Sequence, residues 1–339
     1  MLGIVQQNYG PSWLSYGFWH ELQLIPQLFS VMSYEILKRN PEMPKFVLCR
    51  PQGGLNDIFC QIEKCCQYAD KFGRIVVVDT AYEKSENFWD TFSNYFVSKQ
   101  ERLLLDAQTL SPILKLSSLH PRELKGMLDL YEFEYGDKAR ICVIEGVTVD
   151  LTFDFTRDYE EDVLLHHQAG GGLESKKLAK RISINENTMG ALVTRLNLLP
   201  DYFDAVHVRH TDLQSNCEAA IQHFKIENSK ALFVATDNFE VLQEFRRELG
   251  SDRIYSFSAF PNVSGQTLHK RRYNDIEVAA INRDAILDLF TLSFAEELIL
   301  CRNTNNVFND YSGYSLLARA MHEDKNIRDQ FLLQKKSTK

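Results

Sequence analysis

The chain has 339 residues, enough for one large domain or two ordinary ones, and 44% of them are hydrophobic, enough for real cores. Its formal net charge of −8 excludes the broad basic field of a dedicated nucleic-acid binder, while leaving room for a local basic pocket. Seven cysteines, an odd number with no C-x-x-C pair, fit reduced thiols better than a disulfide framework, and no apolar run approaches the ~20 residues that span a bilayer.

Residues 1–40 are rich in aromatics, and Leu22, Ile25, Leu28 and Met32 give a helix one apolar face. That face is expected to pack on the first domain. The alternative is an interfacial helix touching a membrane or a partner enzyme; the few Lys and Arg count against the membrane.

A first strand over Phe46–Cys49 ends at Arg50. Pro51-Gln52-Gly53-Gly54 turns the chain into a helix that begins at Asn56 or Asp57 and runs to about Lys71, and Ile75–Val78 is a second strand. A strand, a glycine turn and a helix put free backbone N–H groups at a helix start, a natural anion site, although many α/β proteins use such a turn for packing alone.

Further strands are expected at Arg102–Leu105, Arg140–Ile144, Leu151–Phe155 and Val163–His167, and helices around Ser85–Phe96 and Pro121–Tyr131. Gly170-Gly171-Gly172 permits close approach of backbone to a ligand and is expected at a cleft between domains. His166-His167 is not read as a metal pair, because adjacent strand residues face opposite ways. The acidic stretch Asp150–Asp162 reads as a solvated segment.

From about Ile184 the pattern alternates. Helices are expected at Asn187–Leu198, Asn216–Ile226, Phe239–Leu249, Asp284–Glu296 and Tyr314–Met321, and strands at Ala205–Val208, Leu232–Ala235, Ile254–Phe257 and Leu298–Leu300. Such alternation implies a parallel, doubly wound sheet, so the reading is an α/β chain with domains over 1–183 and 184–339. The polar loop Ser258–Asn274 carries His269-Lys270-Arg271-Arg272, either a solvated cluster or a lid over a ligand. The basic tail Gln334–Lys339 is expected to be disordered.

The densest chemistry lies in Asp204–Asp212, D-A-V-H-V-R-H-T-D. Ala205, Val206 and Val208 mark a buried strand, and His207, Arg209, His210 and Asp212 cluster at its carboxyl end, where open α/β sheets bind ligands. A guanidinium there offers a planar fork of donors suited to phosphate. The plain alternative is an internal ion pair between Arg209 and Asp212.

Four stretches, in order, resemble the fucosyltransferase superfamily, which spans bacterial nodulation α1,6-, core α1,6- and protein O-fucosyltransferases. They are R-P-Q-G-G-L-N-D with the helix and strand that follow, H-V-R-H-T-D, F-V-A-T-D-N-F, and D-L-F-T-L-S-F-A-E-E-L-I-L-C-R-N-T-N-N. The resemblance implies a GT-B fold, two Rossmann-like domains facing each other across a cleft, the first on the acceptor side and the second holding a GDP-sugar without a metal. It implies Gly53, Gly54, Asn56 and Asp57 at the glycine loop, with Asn56 standing where the nodulation pattern has glycine. Arg209 matches the arginine assigned to the diphosphate, and His210 stands in place of the second arginine of that motif. His207 matches the histidine that touches the nucleotide, Asp237 a strand-end position that shapes the pocket, and Asp288 the aspartate that reads guanine. A plain helix-start carboxylate is the alternative for Asp288. Counting without gaps puts the family's serine pair on Asn303 and Thr304. The general base is sought at Glu218, near the family's glutamate spacing, or at Asp212.

No D-x-D metal motif precedes a donor-domain strand, so no metal and no cofactor is expected beyond the donor, GDP-fucose or a related sugar nucleotide. The expected partner is an oligosaccharide or lipid-linked glycan acceptor in surface polysaccharide biosynthesis, with no nucleic acid. The expected place is the cytoplasm, at the inner face of the membrane in one version. The alternatives are the same fold with a UDP-, dTDP- or CMP-sugar, or a non-catalytic protein that binds nucleotide or glycan.

Overall fold

The computed structural model describes residues 44–332, apart from 83–84, 86, 109–116, 136–139, 145, 153, 228–230, 261–276 and 306–309. The expected N-terminal helix, the basic run at 269–272 and the tail at 334–339 lie outside the described residues.

The first half of the chain contains β1 (Phe46–Pro51), α1 (Leu55–Phe72), β2 (Ile75–Val78), β3 (Phe96–Ser98), β4 (Leu103–Leu104), β5 (Leu119–His120), β6 (Glu132–Tyr135), β7 (Arg140–Ile144), β8 (Val147–Asp150), β9 (Val163–Gln168) and β10 (Ile182–Ile184). The second contains α2 (Glu186–Leu196), β11 (Asp204–Val208), β12 (Ser215–Asn216), α3 (Glu218–Ile226), β13 (Leu232–Thr236), α4 (Phe239–Leu249), β14 (Ile254–Tyr255), α5 (Val278–Ser293), β15 (Leu298–Leu300), β16 (Arg302–Asn303), α6 (Gly313–Glu323) and α7 (Lys325–Phe331).

Two parallel sheets organise the fold. One has the order β4-β2-β1-β9-β5, the other β14-β13-β11-β15. Their central strands β1, β9 and β13 are buried along their whole length, which is why they read as unbroken apolar runs rather than alternating ones. The order reverses between β1 and β9, and again between β11 and β15. These are the switch points where crevices open beyond the strand ends.

One apolar core joins the halves. Phe59 of α1 packs edge-on to Phe96 at 5.5 Å and stacks on Phe331 of α7 at 5.6 Å, and Phe331 meets Phe290 of α5 at 6.0 Å. Burying side chains of this kind stabilises by ~1.5–3 kcal/mol each. All seven thiols are free and buried. Among the described residues no helix is long and apolar enough to cross a membrane.

The second half follows the sequence pattern closely, with Phe239–Leu249 and Leu298–Leu300 matching the expected limits. The first half departs from it. The described residues of Ser85–Phe96 do not form the expected helix: Phe88 and Trp89 adopt φ of 66° and 47°, and among them Phe92–Asn94 alone forms a 3-10 turn. Pro121–Tyr131 also holds just a 3-10 turn at Arg122–Leu124, ended where Gly126 takes φ 77°. The described residues of Leu151–Phe155 form no strand. The strand ends at Asp150, whose carboxylate accepts the Thr152 N–H at 2.8 Å and turns the chain. The expected domain limit at 183/184 falls inside β10, which pairs antiparallel with β3.

Candidate functional site

At the first switch point, α1 begins with Gly54 as its cap, and the Gly54 N–H is taken by Asp57 Oδ2 at 3.2 Å. Gly53 has φ 104°, and a Cβ there would lie 2.5 Å from that same oxygen, so the turn requires glycine. Asn56 is 3% exposed and donates to the Gly172 carbonyl at 3.4 Å. Its Oδ1 has no hydrogen-bond partner among the described residues. The glycine run after β9 does make a close approach, to α1 itself: a Cβ at Gly171 would be 2.8 Å from Asn56 Nδ2. Burial pushes the Asp57 carboxyl up, opposed by the Gly54 N–H, the Asn56 amide and the Arg209 charge.

At the second switch point, β11 delivers His207 and Arg209. His207 is buried, and its Nδ1 shares a 2.7 Å hydrogen bond with Ser315 Oγ, which in turn meets Ser312 Oγ at 2.8 Å. Ser312 caps α6, accepting the Ser315 N–H at 3.1 Å. Burial, with the nearby Arg209 charge, pushes the His207 pKa down to about 3, so the ring is neutral.

Arg209 reaches Asp212 Oδ1 from both Nε and Nη2 at 2.8 Å, and Asp237 Oδ2 from Nε at 3.1 Å. The internal ion pair anticipated as the plain alternative therefore exists, and Arg209 also lines the cleft described below. Asp237 accepts the His210 N–H at 2.7 Å and the Thr211 hydroxyl at 2.6 Å, which fixes the loop after β11.

Asp288 is not at a helix start. It lies deep within α5, paired with Arg195 of α2, and accepts the Ser258 hydroxyl at 2.6 Å. Burial pushes its pKa up to about 6 against the pull of Arg195.

Both switch points open into one cleft of about 450 Å³. Its lining brings together Gly53, Gly54, Asn56 and Asp57 from the first half with His207, Arg209, Asp212, Asp237 and Asp288 from the second. Four anticipated residues do not line it. His210 sits in the loop, its ring nitrogen facing the Ser215 N–H at 3.4 Å. Glu218 is exposed at the start of α3. Asn303 is buried in the β12–β16 pair, and the Thr304 hydroxyl donates to the Gln214 carbonyl at 3.0 Å. Two serines line the cleft, Ser258 and Ser312, and Ser312 is the one at a helix start. Ungapped counting passed over it, although a serine just before the last apolar helix is a legible cap signal. Arg195 and Asp284 were also missed; an arginine inside a helix carries no local mark of its partners. Among the described residues no three His, Cys, Asp or Glu side chains come together as a metal site.

No protein-family model matches the sequence, and no curated protein matches it. Solved structures match. The fucosyltransferase NodZ from Bradyrhizobium aligns over 82% of this chain and 93% of its own, with a TM-score of 0.51 and 14% identity. NodZ α-1,6-fucosyltransferase co-crystallised with GDP aligns over 82% and 92%, at 0.51 and 15%. The apo form of POFUT1 aligns over 84% and 96%, at 0.50 and 12%. At such identities the likeness is one of architecture alone, and it spans nearly the whole of each of these fucosyltransferases: the chain shares their fold.

Proposed function

We propose that the chain is a GT-B glycosyltransferase. It moves fucose or a related sugar from a GDP-sugar to a glycan acceptor, with inversion and without a metal. The reading rests on one observation above the rest: the glycine turn of the first half meets Arg209, the α6 cap and Asp288 in a single cleft. Its setting is a fold shared with NodZ, structures of which were co-crystallised with GDP or soaked with GDP-fucose.

Among the described lining residues five aspartates face one arginine. A diphosphate is therefore expected beside Arg209 and the N-terminal turns of α1 and α6, where N–H groups and helix dipoles favour negative charge. Arg209, fixed by its two carboxylates, carries the charge that develops on the departing diphosphate. Ser312, rather than Thr304, is the hydroxyl placed for a phosphate. Asp288 reads the base.

Asp57 is the proposed general base, in place of Glu218 and of Asp212, which is committed to Arg209. The acceptor hydroxyl attacks the anomeric carbon, its proton passes to Asp57, and the bond from carbon to phosphate oxygen breaks with the electron pair leaving on GDP. A carboxyl raised by burial is the better proton acceptor near neutrality.

The test is a donor screen with GDP-, UDP-, dTDP- and CMP-sugars, following sugar transfer and thermal shift. A ligand at a hundred times its Kd stabilises by ~2.7 kcal/mol. Stabilisation by a non-guanine nucleotide alone would move the reading to another donor, and binding with no turnover would leave a non-catalytic binder. Transfer that stops in EDTA and returns with Mg²⁺ would overturn the metal-free step. The reading extends to a cytoplasmic enzyme of surface-glycan assembly, supported by the free buried thiols. Sugar analysis of surface glycans from cells lacking the chain checks it.

A further inference from the structure

Two carboxylates one turn apart on α5 share a single buried guanidinium. Arg195 of α2, with 7% of its side chain exposed, pairs through Nη2 with Asp284 Oδ1 at 2.9 Å and through Nη1 with Asp288 Oδ1. The other oxygens are held from the segment after β14. Ser258 Oγ donates to Asp288 Oδ2 at 2.6 Å, and the Ala259 N–H donates to Asp284 Oδ2 at 3.1 Å. The Arg195 guanidinium also lies 5.3 Å from the centre of the Phe257 ring. Asp284, Asp288, Ser258 and Ala259 form one wall of the cleft.

A carboxyl this buried protonates easily, and a permanent cation against it keeps it ionised and purely an acceptor. A carboxylate offers about four lone-pair sites. Arg195 and Ser258 each take one on Asp288, one per oxygen. Each oxygen keeps one for a ligand, and with both ends tied the group cannot rotate. That leaves a fixed pair of acceptors side by side, the complement of adjacent ring and exocyclic N–H donors. A protonated Asp288 would present a donor instead and lose the match.

We propose that Arg195 is a positioning residue for base recognition: by bridging Asp284 and Asp288 it presents Asp288 as an ionised, fixed double acceptor for a nucleoside diphosphate whose base carries two adjacent N–H donors. The proposal rests on the base-reading role given to Asp288 above. The alternative role for Arg195 is a strap between α2 and α5, which would affect stability and nothing else.

The groups facing Asp288 are Arg195 from α2, Asp284 on α5, Ser258 after β14, and Tyr314 of α6, whose phenol is pushed well above its usual range by burial and by Asp288. Neutral His207 stands behind Tyr314, the ring centres 4.9 Å apart. Among the described residues Arg195 is thus the one cation facing Asp288, and its removal raises the pH at which Asp288 ionises.

The experiment is calorimetric titration of GDP, IDP and UDP into wild type, Arg195→Met, Arg195→Lys and Ser258→Ala across pH 5 to 8, with a Tm for each protein. IDP lacks the exocyclic amine. Wild type is expected to favour GDP over IDP by about tenfold, one hydrogen bond to a charged group. GDP binding should tighten as pH rises through about 6. Arg195→Met should bring GDP and IDP close to parity at neutral pH, move the midpoint upward and leave UDP unchanged. Arg195→Lys should keep the midpoint near wild type, and Ser258→Ala should narrow the GDP preference at an unchanged Tm. A folded Arg195→Met that retains the wild-type GDP-to-IDP ratio and pH midpoint overturns the proposal and leaves Arg195 a strap. If Arg195→Met does not fold, Ser258→Ala decides by the GDP-to-IDP ratio, and a wild-type ratio there overturns the proposal. Wild type that binds GDP no better than UDP removes the base-reading role, and this proposal with it.

Discussion

Asn56 of α1 fills the space above Gly313 of α6: a Cβ added at Gly313 would lie 2.5 Å from Asn56 Nδ2 and 3.0 Å from its Cγ. This contact joins the two halves at the cleft. Gly313→Ala should therefore destabilise the protein by ~1–3 kcal/mol, the cost of overpacking. Asn56→Ala in the same chain should recover much of that loss, because the clashing atoms are gone. Urea unfolding of the two single variants and the double variant measures the coupling. Effects that add within ~0.3–0.5 kcal/mol would show that the residues do not touch in solution.

Arg209→Ala should nearly abolish transfer. Removing a fixed donor from a developing charge costs ~3–4 kcal/mol, or about 10²–10³ in rate. Arg209→Lys should recover little, since an ammonium cannot span Asp212, Asp237 and a phosphate as the planar fork does. Steady-state kinetics beside circular dichroism settles the matter. Rates within a few-fold of wild type, on an intact fold, would remove Arg209 from the reaction.

Asp57→Asn keeps the shape and leaves an oxygen for the Gly54 N–H, so the α1 cap survives. Transfer should nonetheless fall by about 10²–10⁴, the usual contribution of a general base. The sign of the pH effect follows from burial. The Asp57 carboxyl is raised, so the wild-type rate should climb as pH rises through that elevated pKa, and Asp57→Asn should lose this acid limb. An acid limb that persists in the variant assigns the proton to another group.

Stability should fall on acidification before most carboxylates titrate. His207 is held down to about 3, and His167 is pushed well below its usual value by burial, with the Arg50 charge adding to the effect. The unfolded chain takes up these protons near pH 6.5 and the folded chain does not, so their stabilisation is complete above ~6.5 and drains away as pH drops toward the folded values. Asp288, raised to about 6, works in the opposite sense, adding stability as pH falls through that value. Urea midpoints at pH 7 and pH 5, for wild type and His207→Gln, isolate the His207 share. An unchanged difference between the two pH values in the variant would contradict it.

Much of the second half was legible because its strands are short apolar runs bounded by capped, amphipathic helices. Asn238 before α4 is one such cap, accepting the Val241 N–H at 3.1 Å. The first half was less so. Its turns depend on local conformations, such as the positive φ at Phe88 and Trp89, that no periodicity announces. At the site, His207, Arg209 and the glycine turn stood out because polar groups at strand ends interrupt apolar patterns. Arg195 did not, because its meaning comes from two aspartates some ninety residues away. Ser312 was not singled out, because ungapped counting from Asp288 ended at Thr304.

The seven thiols fall into groups in separate parts of the molecule. Cys49, Cys65 and Cys66 belong to the core around α1, Cys142 to the core against β7, and Cys217 and Cys301 to the core of the second sheet. Cys60 lies beside the cleft, 3.4 Å from the Gly172 carbonyl. Alkylation can reach each one only when its own region opens, and openings differ in free energy across a structure. The wild-type chain therefore carries a set of built-in reporters. Mass-resolved labelling rates would rank its regions by local opening without any introduced probe, and a change confined to Cys60 on adding nucleotide would register events at the cleft alone.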